Sequence, residues 1–271
     1  MHPVLIDTFV NGYHIHLSSY RAMAILGSLL AITFALFLSR RYGFPLRKMA
    51  VIVAVIAVGM FAGSRLLNVV LNPSVYQPGM YDPWQLSLHG FSMYGGLLAA
   101  MAGGYAACVL LGLNPWRVGD MLAPVLGLFL ACIRTGCFLA GCCFGKITKV
   151  PWGVVFPKGS SAFWAQTKFE AGRFVFPDRV LPVHPTQIYE GAAALLGGIV
   201  AFWLLEKRRL PSGTVFLGFF LWFTAVRWTV YYFRVMPGTF SAPPWFYPAF
   251  YAGIIAVTAA LIRWRCKKPA D

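Results

Sequence analysis

The sequence predicts an all-α integral membrane protein of about seven transmembrane helices. Two features of composition and one of pattern carry this. Of the 271 residues, 59% are hydrophobic and only 11% charged, where a soluble domain has about a quarter charged residues. Apolar runs long enough to cross a bilayer follow one another with short polar breaks. The basic residues, which give a formal charge of +15, gather at the ends of those runs. There they act as topology signals and as contacts for anionic lipid, so no nucleic-acid partner is predicted.

A span needs about 20 apolar residues. The first predicted span runs from about Tyr20 to Leu38 and stops at Ser39-Arg40-Arg41. The second, from about Met49 to Leu71, carries Arg65, and the third extends from about Met93 to Leu113. The fourth, from about Val118 to Leu139, carries Arg134. The fifth begins after His184-Pro185 and ends at Glu206-Lys207-Arg208-Arg209. The sixth, from about Gly213 to Val235, carries Arg227, and the seventh runs from about Phe246 to Ile262 before a basic tail. The first residues lack the basic start and the small-residue cleavage site of a secretory signal peptide.

Arg40, Arg41, Arg47 and Lys48, then Arg117, then Lys207, Arg208 and Arg209, lie in alternate connections, whereas residues 1–19, 72–92 and 236–245 contain no Lys or Arg. That asymmetry places the N-terminus outside and the C-terminus in the cytoplasm. The whole chain reads as a single transmembrane domain over 1–271. Within it, 146–183 mixes Trp152, Phe156, Phe163, Trp164, Phe169, Phe174 and Phe176 with Lys and Arg. Such a mixture suits the headgroup layer and predicts a small cap on the outer face. The third span holds Gly95, Gly96, Ala99, Ala100, Gly103 and Gly104, small residues that let helices approach closely. There is no internal repeat.

An arginine at mid-span costs about 2.5–3.5 kcal/mol on insertion scales. Arg65, Arg134 and Arg227 carry that cost, and Arg234 lies near a span end. Three such side chains left unpaired would cost on the order of 8–10 kcal/mol, comparable to a whole folding free energy. The acids at hand are Asp120, Glu190 and Glu206. Cations outnumber them, so an external anion is expected, and lipid phosphate is the anion present at that depth. Arg227 and Arg234 are seven residues apart, which predicts one shared helix face with Tyr231 between them. His184-Pro185-Thr186-Gln187-Ile188-Tyr189-Glu190 opens the fifth span, with Pro185 suited to a first helical turn. His184, Gln187 and Glu190 then share a side, a patch able to bind a headgroup or move protons.

Ile133 to Lys146 is the least regular stretch. Gly136, Gly141 and Gly145 break a helix or admit close backbone approach, and irregular backbone at membrane depth lines a cavity. Arg134-x-Gly136-x-Phe138-x-x-Gly141-x-x-x-Gly145, followed by Pro151-Trp152-Gly153 and Phe156-Pro157, resembles the signature of the bacterial prolipoprotein diacylglyceryl transferase family. Gly63-Ser64-Arg65-Leu66 is similar to that family's second-span motif, Gly90 to Gly96 to its third-span motif, and His184 to Glu190 to its histidine-proline motif. Arg227, Arg234 and Tyr20 match further family positions, and the likeness extends from about residue 15 to 260. The family has His where this chain has Tyr94. It has Asn, Asn and Glu at Cys137, Ala140 and Cys142, and Tyr and Glu at Phe223 and Tyr231. The chain therefore looks like a divergent branch.

The resemblance implies transfer of a diacylglyceryl group from phosphatidylglycerol to the cysteine thiol of a prolipoprotein signal peptide, in the bacterial inner membrane and without a cofactor. It implies catalytic roles for Arg134, Arg227, Tyr94 and His184. Arg65, Arg234, Tyr20, Gln187, Glu190, Gly95, Gly96, Gly136 and Cys142 would contact substrate, phosphatidylglycerol or other membrane phospholipid. Alternatives from other classes stay open: a relative moving another lipid group, a lipid-binding or transport protein on the same scaffold, and a thiol oxidoreductase using Cys142 and Cys143. Cys137, Cys142 and Cys143 are compatible with a soft metal, a disulfide, nucleophiles or simple packing beside glycines. Their spacing matches no zinc motif, so no metal is predicted.

Overall fold

A computed structural model describes residues 4–10, 13–71, 93–170, 173–207, 209–235, 243 and 245–267. Strands β1 (Val4–Val10) and β2 (Tyr13–Ser18) pair antiparallel, a hairpin that the sequence reading left unassigned. The helices are α1 (Ser19–Arg41), α2 (Leu46–Leu71), α3 (Met93–Leu110), α4 (Pro115–Ala140), α5 (Ser161–Gln166), α6 (Thr186–Lys207), α7 (Thr214–Tyr231) and α8 (Phe246–Cys266). Between α5 and α6 lie two short antiparallel strands, β3 (Lys168–Glu170) and β4 (Arg173–Val175).

Among the described residues six helices are long and apolar enough to cross a membrane: α1, α2, α4, α6, α7 and α8. The third expected span appears as α3, whose apolar stretch Gly95–Leu110 is shorter than that criterion. The two sheets are two-stranded hairpins, and neither closes a barrel. The chain is thus a multi-pass α-helical membrane protein, because only helices satisfy every backbone group inside a segment that crosses lipid.

Residues Ile32–Gly119 form one compact unit, and Met1–Ala31 with Asp120–Asp271 form a second. In the first unit α2 and α3 touch through backbone. A Cβ on Gly95 would strike the Gly63 carbonyl, and one on Gly96 would strike the Ser64 hydroxyl. The small-residue pattern of the third span therefore does serve close packing. The C-terminal end of α1 turns off through Gly43, which takes a left-handed φ of 73° while the Phe44 amide returns to the Ser39 carbonyl at 2.8 Å, a glycine-terminated helix end. Lys48 donates to the Leu111 carbonyl just beyond α3 at 2.7 Å, so one of the predicted topology signals also caps a helix.

In the second unit α4, α6 and α7 share a core of Ala123, Ala201, Val215 and Phe219. Asp120, offered by the sequence as a partner for arginines, instead holds the start of α7. Its Oδ2 accepts from the Gly213 amide at 2.6 Å and its Oδ1 from the Phe216 amide at 2.8 Å, where a carboxylate meets unpaired N–H groups and the positive end of the helix dipole. The segment 146–183 has a core of its own: Phe156, Ala162 and Val183 pack with Phe144. A chain of rings, Phe163 on Phe176 at 5.8 Å and Phe169 on Phe174 at 5.2 Å, extends from it.

Candidate functional site

The site is built on the first two turns of α6. Pro185 precedes the helix, and Thr186, Gln187 and Glu190 are all buried. Glu190 is the focus. Arg134 of α4 forms an ion pair with its Oε2 at 2.5 Å. Arg227 of α7 reaches both oxygens, at 3.1 and 3.3 Å. Arg234 completes the group at 3.7 Å from Oε1. The carboxylate side chain is 3% exposed. Arg134 comes this close because residue 191 is glycine; a Cβ there would stand 3.1 Å from the Arg134 Cβ.

Three guanidiniums around one carboxylate leave these four groups with two positive charges in excess. Like charges gathered out of water repel strongly unless an anion sits among them. Two buried polar atoms nearby lack partners among the described residues, the Arg134 Nε donor and the Gln187 Oε1 acceptor. Buried groups of this kind mark a place where a ligand or solvent completes the bonding.

The expected single helix face for Arg227 and Arg234 is not what forms. Helix α7 ends at Tyr231, and the next amides tighten into three-residue returns: Tyr232 to Thr229 and Phe233 to Val230. Beyond that turn the backbone pairs with the stretch that follows α4. The Lys146 amide takes the Phe233 carbonyl at 2.7 Å, and Gly145 pairs with Arg234 as an isolated bridge. Arg234 therefore reaches Glu190 from a loop. Tyr231 turns away and packs on Tyr247 and Tyr251, with ring centroids 5.5 and 6.5 Å apart.

The glycine-rich stretch leaves α4 at Ala140 and folds back over the start of α6. Gly141 and Cys143 both have positive φ, 72° and 60°, a conformation that costs a non-glycine residue about 1–2 kcal/mol. The turn is held by side chains of α6. Gln187 Nε2 donates to the Cys142 carbonyl at 2.6 Å, and the Thr186 hydroxyl donates to the Cys143 carbonyl at 2.7 Å. This brings Cys137, Cys142 and Cys143 together, with their sulfurs all within 4.8 Å of one another. The sequence groups the three thiols, but five residues and a reversed turn separate Cys137 from the vicinal pair, so spacing alone does not show that all three meet. Thr186 was also passed over as a site residue; its place in the His184–Glu190 motif was the available signal.

Tyr20 opens α1 and lies within electrostatic reach of the three cysteines and Arg134. Gly136 makes the approach possible, since a Cβ there would stand 2.9 Å from the Met23 Cβ and 3.4 Å from the Tyr20 Cα. His184, expected in one patch with Gln187 and Glu190, lies just before α6. Its Nδ1 is 3.2 Å from the Tyr189 hydroxyl, which also accepts from Trp152 Nε1 at 2.7 Å, and its ring lies 5.1 Å from that of Phe233. Arg65, Gly95 and Gly96 belong to the other compact unit, where the two glycines serve the α2–α3 contact. The side chain of Tyr94 lies outside the described residues.

The family model for prolipoprotein diacylglyceryl transferase matches residues 8–266. A phosphatidylglycerol–prolipoprotein diacylglyceryl transferase of Geobacter sulfurreducens is 28% identical over 238 residues, covering 86% of this chain and 83% of that protein. The protein of the same name from Clostridium tetani is 29% identical over 225 residues, covering 80% and 78%, and that of Mannheimia succiniciproducens is 31% identical over 184 residues. With the match running through every helix that bears on Glu190, the chain belongs to the prolipoprotein diacylglyceryl transferase family.

Proposed function

We propose that this chain transfers a diacylglyceryl group from phosphatidylglycerol to the cysteine thiol of a prolipoprotein signal peptide. The observation that carries this reading is the cluster of Arg134, Arg227 and Arg234 on the single buried carboxylate of Glu190. Its excess positive charge suits a lipid phosphate. In the reaction the acceptor sulfur, as thiolate, attacks the glyceryl carbon. The carbon–oxygen bond to phosphate breaks, and its electron pair leaves with glycerol phosphate. Guanidiniums placed where that negative charge grows stabilise the departing group. Arg134 and Arg227, the shortest contacts to Glu190, are assigned to the phosphate, and Arg234 to supporting it. Tyr20, Gln187 and Gly136 border the same place, and His184 is assigned a supporting role in proton movement.

The names of the relatives support phosphatidylglycerol and prolipoprotein as substrates. The reading places the protein in the bacterial inner membrane, with the N-terminus and the 146–183 cap outside and the C-terminus in the cytoplasm. The exposed rings of Trp152, Trp164, Phe169, Phe174 and Phe176 support a cap lying in the headgroup layer.

The test is lipid attachment to a cysteine-bearing signal peptide by purified protein in phosphatidylglycerol-containing membranes. Arg134→Ala and Arg227→Ala should each lower the rate by about 10²–10³-fold, as loss of one charge-stabilising donor does elsewhere. Full activity in both variants would reject this site.

A further inference from the structure

We propose that Cys137, Cys142 and Cys143 hold one thiophilic metal ion, zinc in the first instance, and that its open fourth position takes the acceptor thiol. The second half of this statement rests on the diacylglyceryl-transfer reading; the first half does not.

The geometry is that of a three-sulfur site. Three sulfurs each about 2.3 Å from one zinc ion stand about 3.8–4.0 Å apart, and the three Sγ atoms here lie within 4.8 Å of one another. Small side-chain rotations close the difference. Among the described residues the group contains no imidazole or carboxylate, and an all-sulfur donor set selects soft, thiophilic ions over hard ones. The ligands are held from behind. The Cys142 and Cys143 carbonyls are fixed by Gln187 and Thr186, each 1% exposed, in the manner of partners that orient metal ligands. A divalent ion with three thiolates carries one negative charge, opposite in sign to the excess charge of the arginines around Glu190. The Gln187 Oε1 acceptor, buried and without a partner among the described residues, offers a bond to an incoming peptide amide.

Three protein ligands leave one tetrahedral position open, which is how catalytic zinc differs from structural zinc. A thiol that enters that position loses its proton, because a coordinating thiol is deprotonated by the ion. The proton passes to water. The bound sulfur then forms its bond to the glyceryl carbon as the carbon–oxygen bond breaks, the electron pair leaves on the phosphate oxygen beside the arginines, and the neutral thioether departs from the metal. This gives the acceptor its thiolate while both Glu190 oxygens stay engaged with guanidiniums.

The test uses the full chain, purified in detergent under reducing conditions and loaded with Zn2+ alone. One tightly held ion per chain is expected, with Cys137, Cys142 and Cys143 protected from maleimide and the exposed Cys266 still labelled. Each of Cys137→Ser, Cys142→Ser and Cys143→Ser should weaken Zn2+ binding by about 10–100-fold or more. The wild-type labelling pattern keeps the test valid if a variant fails to fold. No retained ion with unprotected thiols, or a disulfide among the three in protein purified without reductant that blocks loading, would overturn the site. With Co2+ in place of Zn2+, a cysteine-bearing signal peptide should raise the thiolate-to-cobalt absorption, and its serine counterpart should not; no rise overturns the open position. These measurements contain no lipid, so they succeed or fail independently of the arginine variants that test diacylglyceryl transfer.

Discussion

At the scale of single residues, Glu190 decides whether the site holds together. Its carboxylate is the counter-charge for Arg134, Arg227 and Arg234. Glu190→Gln removes that charge and keeps the shape. Leaving buried charges without their partner costs about 3–5 kcal/mol, so the variant should melt at a lower temperature in neutral detergent. Phosphatidylglycerol should restore part of that loss and phosphatidylcholine less, because the extra negative charge takes the place of the carboxylate. Equal melting of variant and wild type in neutral detergent would show that Glu190 does not hold the cluster. Much of this was legible in the sequence: arginines inside apolar runs demand partners, and Glu190 lies in one. What was not legible is that all three share that one acid. The residues come from positions 134, 190, 227 and 234, and no periodicity relates a loop arginine to a helix 44 residues earlier.

At the scale of elements, glycines set how closely the parts of the site approach. Gly145 faces the His184 Cβ and the Phe233 carbonyl, each 2.6 Å from where a Cβ would stand, whereas Gly218 on α7 has nothing within 4 Å. Gly145→Ala should therefore cost about 1–3 kcal/mol by overpacking and shift Arg234, lowering transfer as well as stability. Gly218→Ala should leave both nearly unchanged or add up to about 1 kcal/mol of helix stability. Melting curves and transfer rates for the pair check this, and equal effects would contradict it. The seven apolar runs foretold, to within a few residues, the seven large helices found among the described residues. The end of α7 was missed because hydropathy continues through Tyr232 and Phe233, while the backbone is diverted by bonds to Phe144 and Lys146, from Val235 and Phe233, 91 and 87 residues further on. The three cysteines stood out as a group, but their meeting point did not, because a turn with positive φ at Gly141 and Cys143 reverses the chain after Cys137.

At the scale of the whole molecule, charge asymmetry and apolar content define how the chain sits in lipid. Cys266 is a free, exposed thiol at the end of α8. In intact cells a membrane-impermeant maleimide should leave it unlabelled, and permeabilised cells should label it, if the basic tail faces the cytoplasm as proposed. Labelling in intact cells would reverse the orientation and put the 146–183 cap on the wrong side for exported substrates. The composition predicted membrane residence directly; the pairing of β1 with β2 and the packing of Phe156, Ala162 and Val183 were beyond it, because hydropathy marks long apolar runs and does not say which residues of short segments meet. The central claim is that the guanidiniums of Arg134 and Arg227 contact lipid phosphate. Solid-state NMR of the arginine-15N-labelled protein in phosphatidylglycerol bilayers measures this through 15N–31P dipolar coupling. Strong short-range coupling that weakens in Arg134→Gln and Arg227→Gln is the predicted result, and coupling unchanged by either substitution would contradict it.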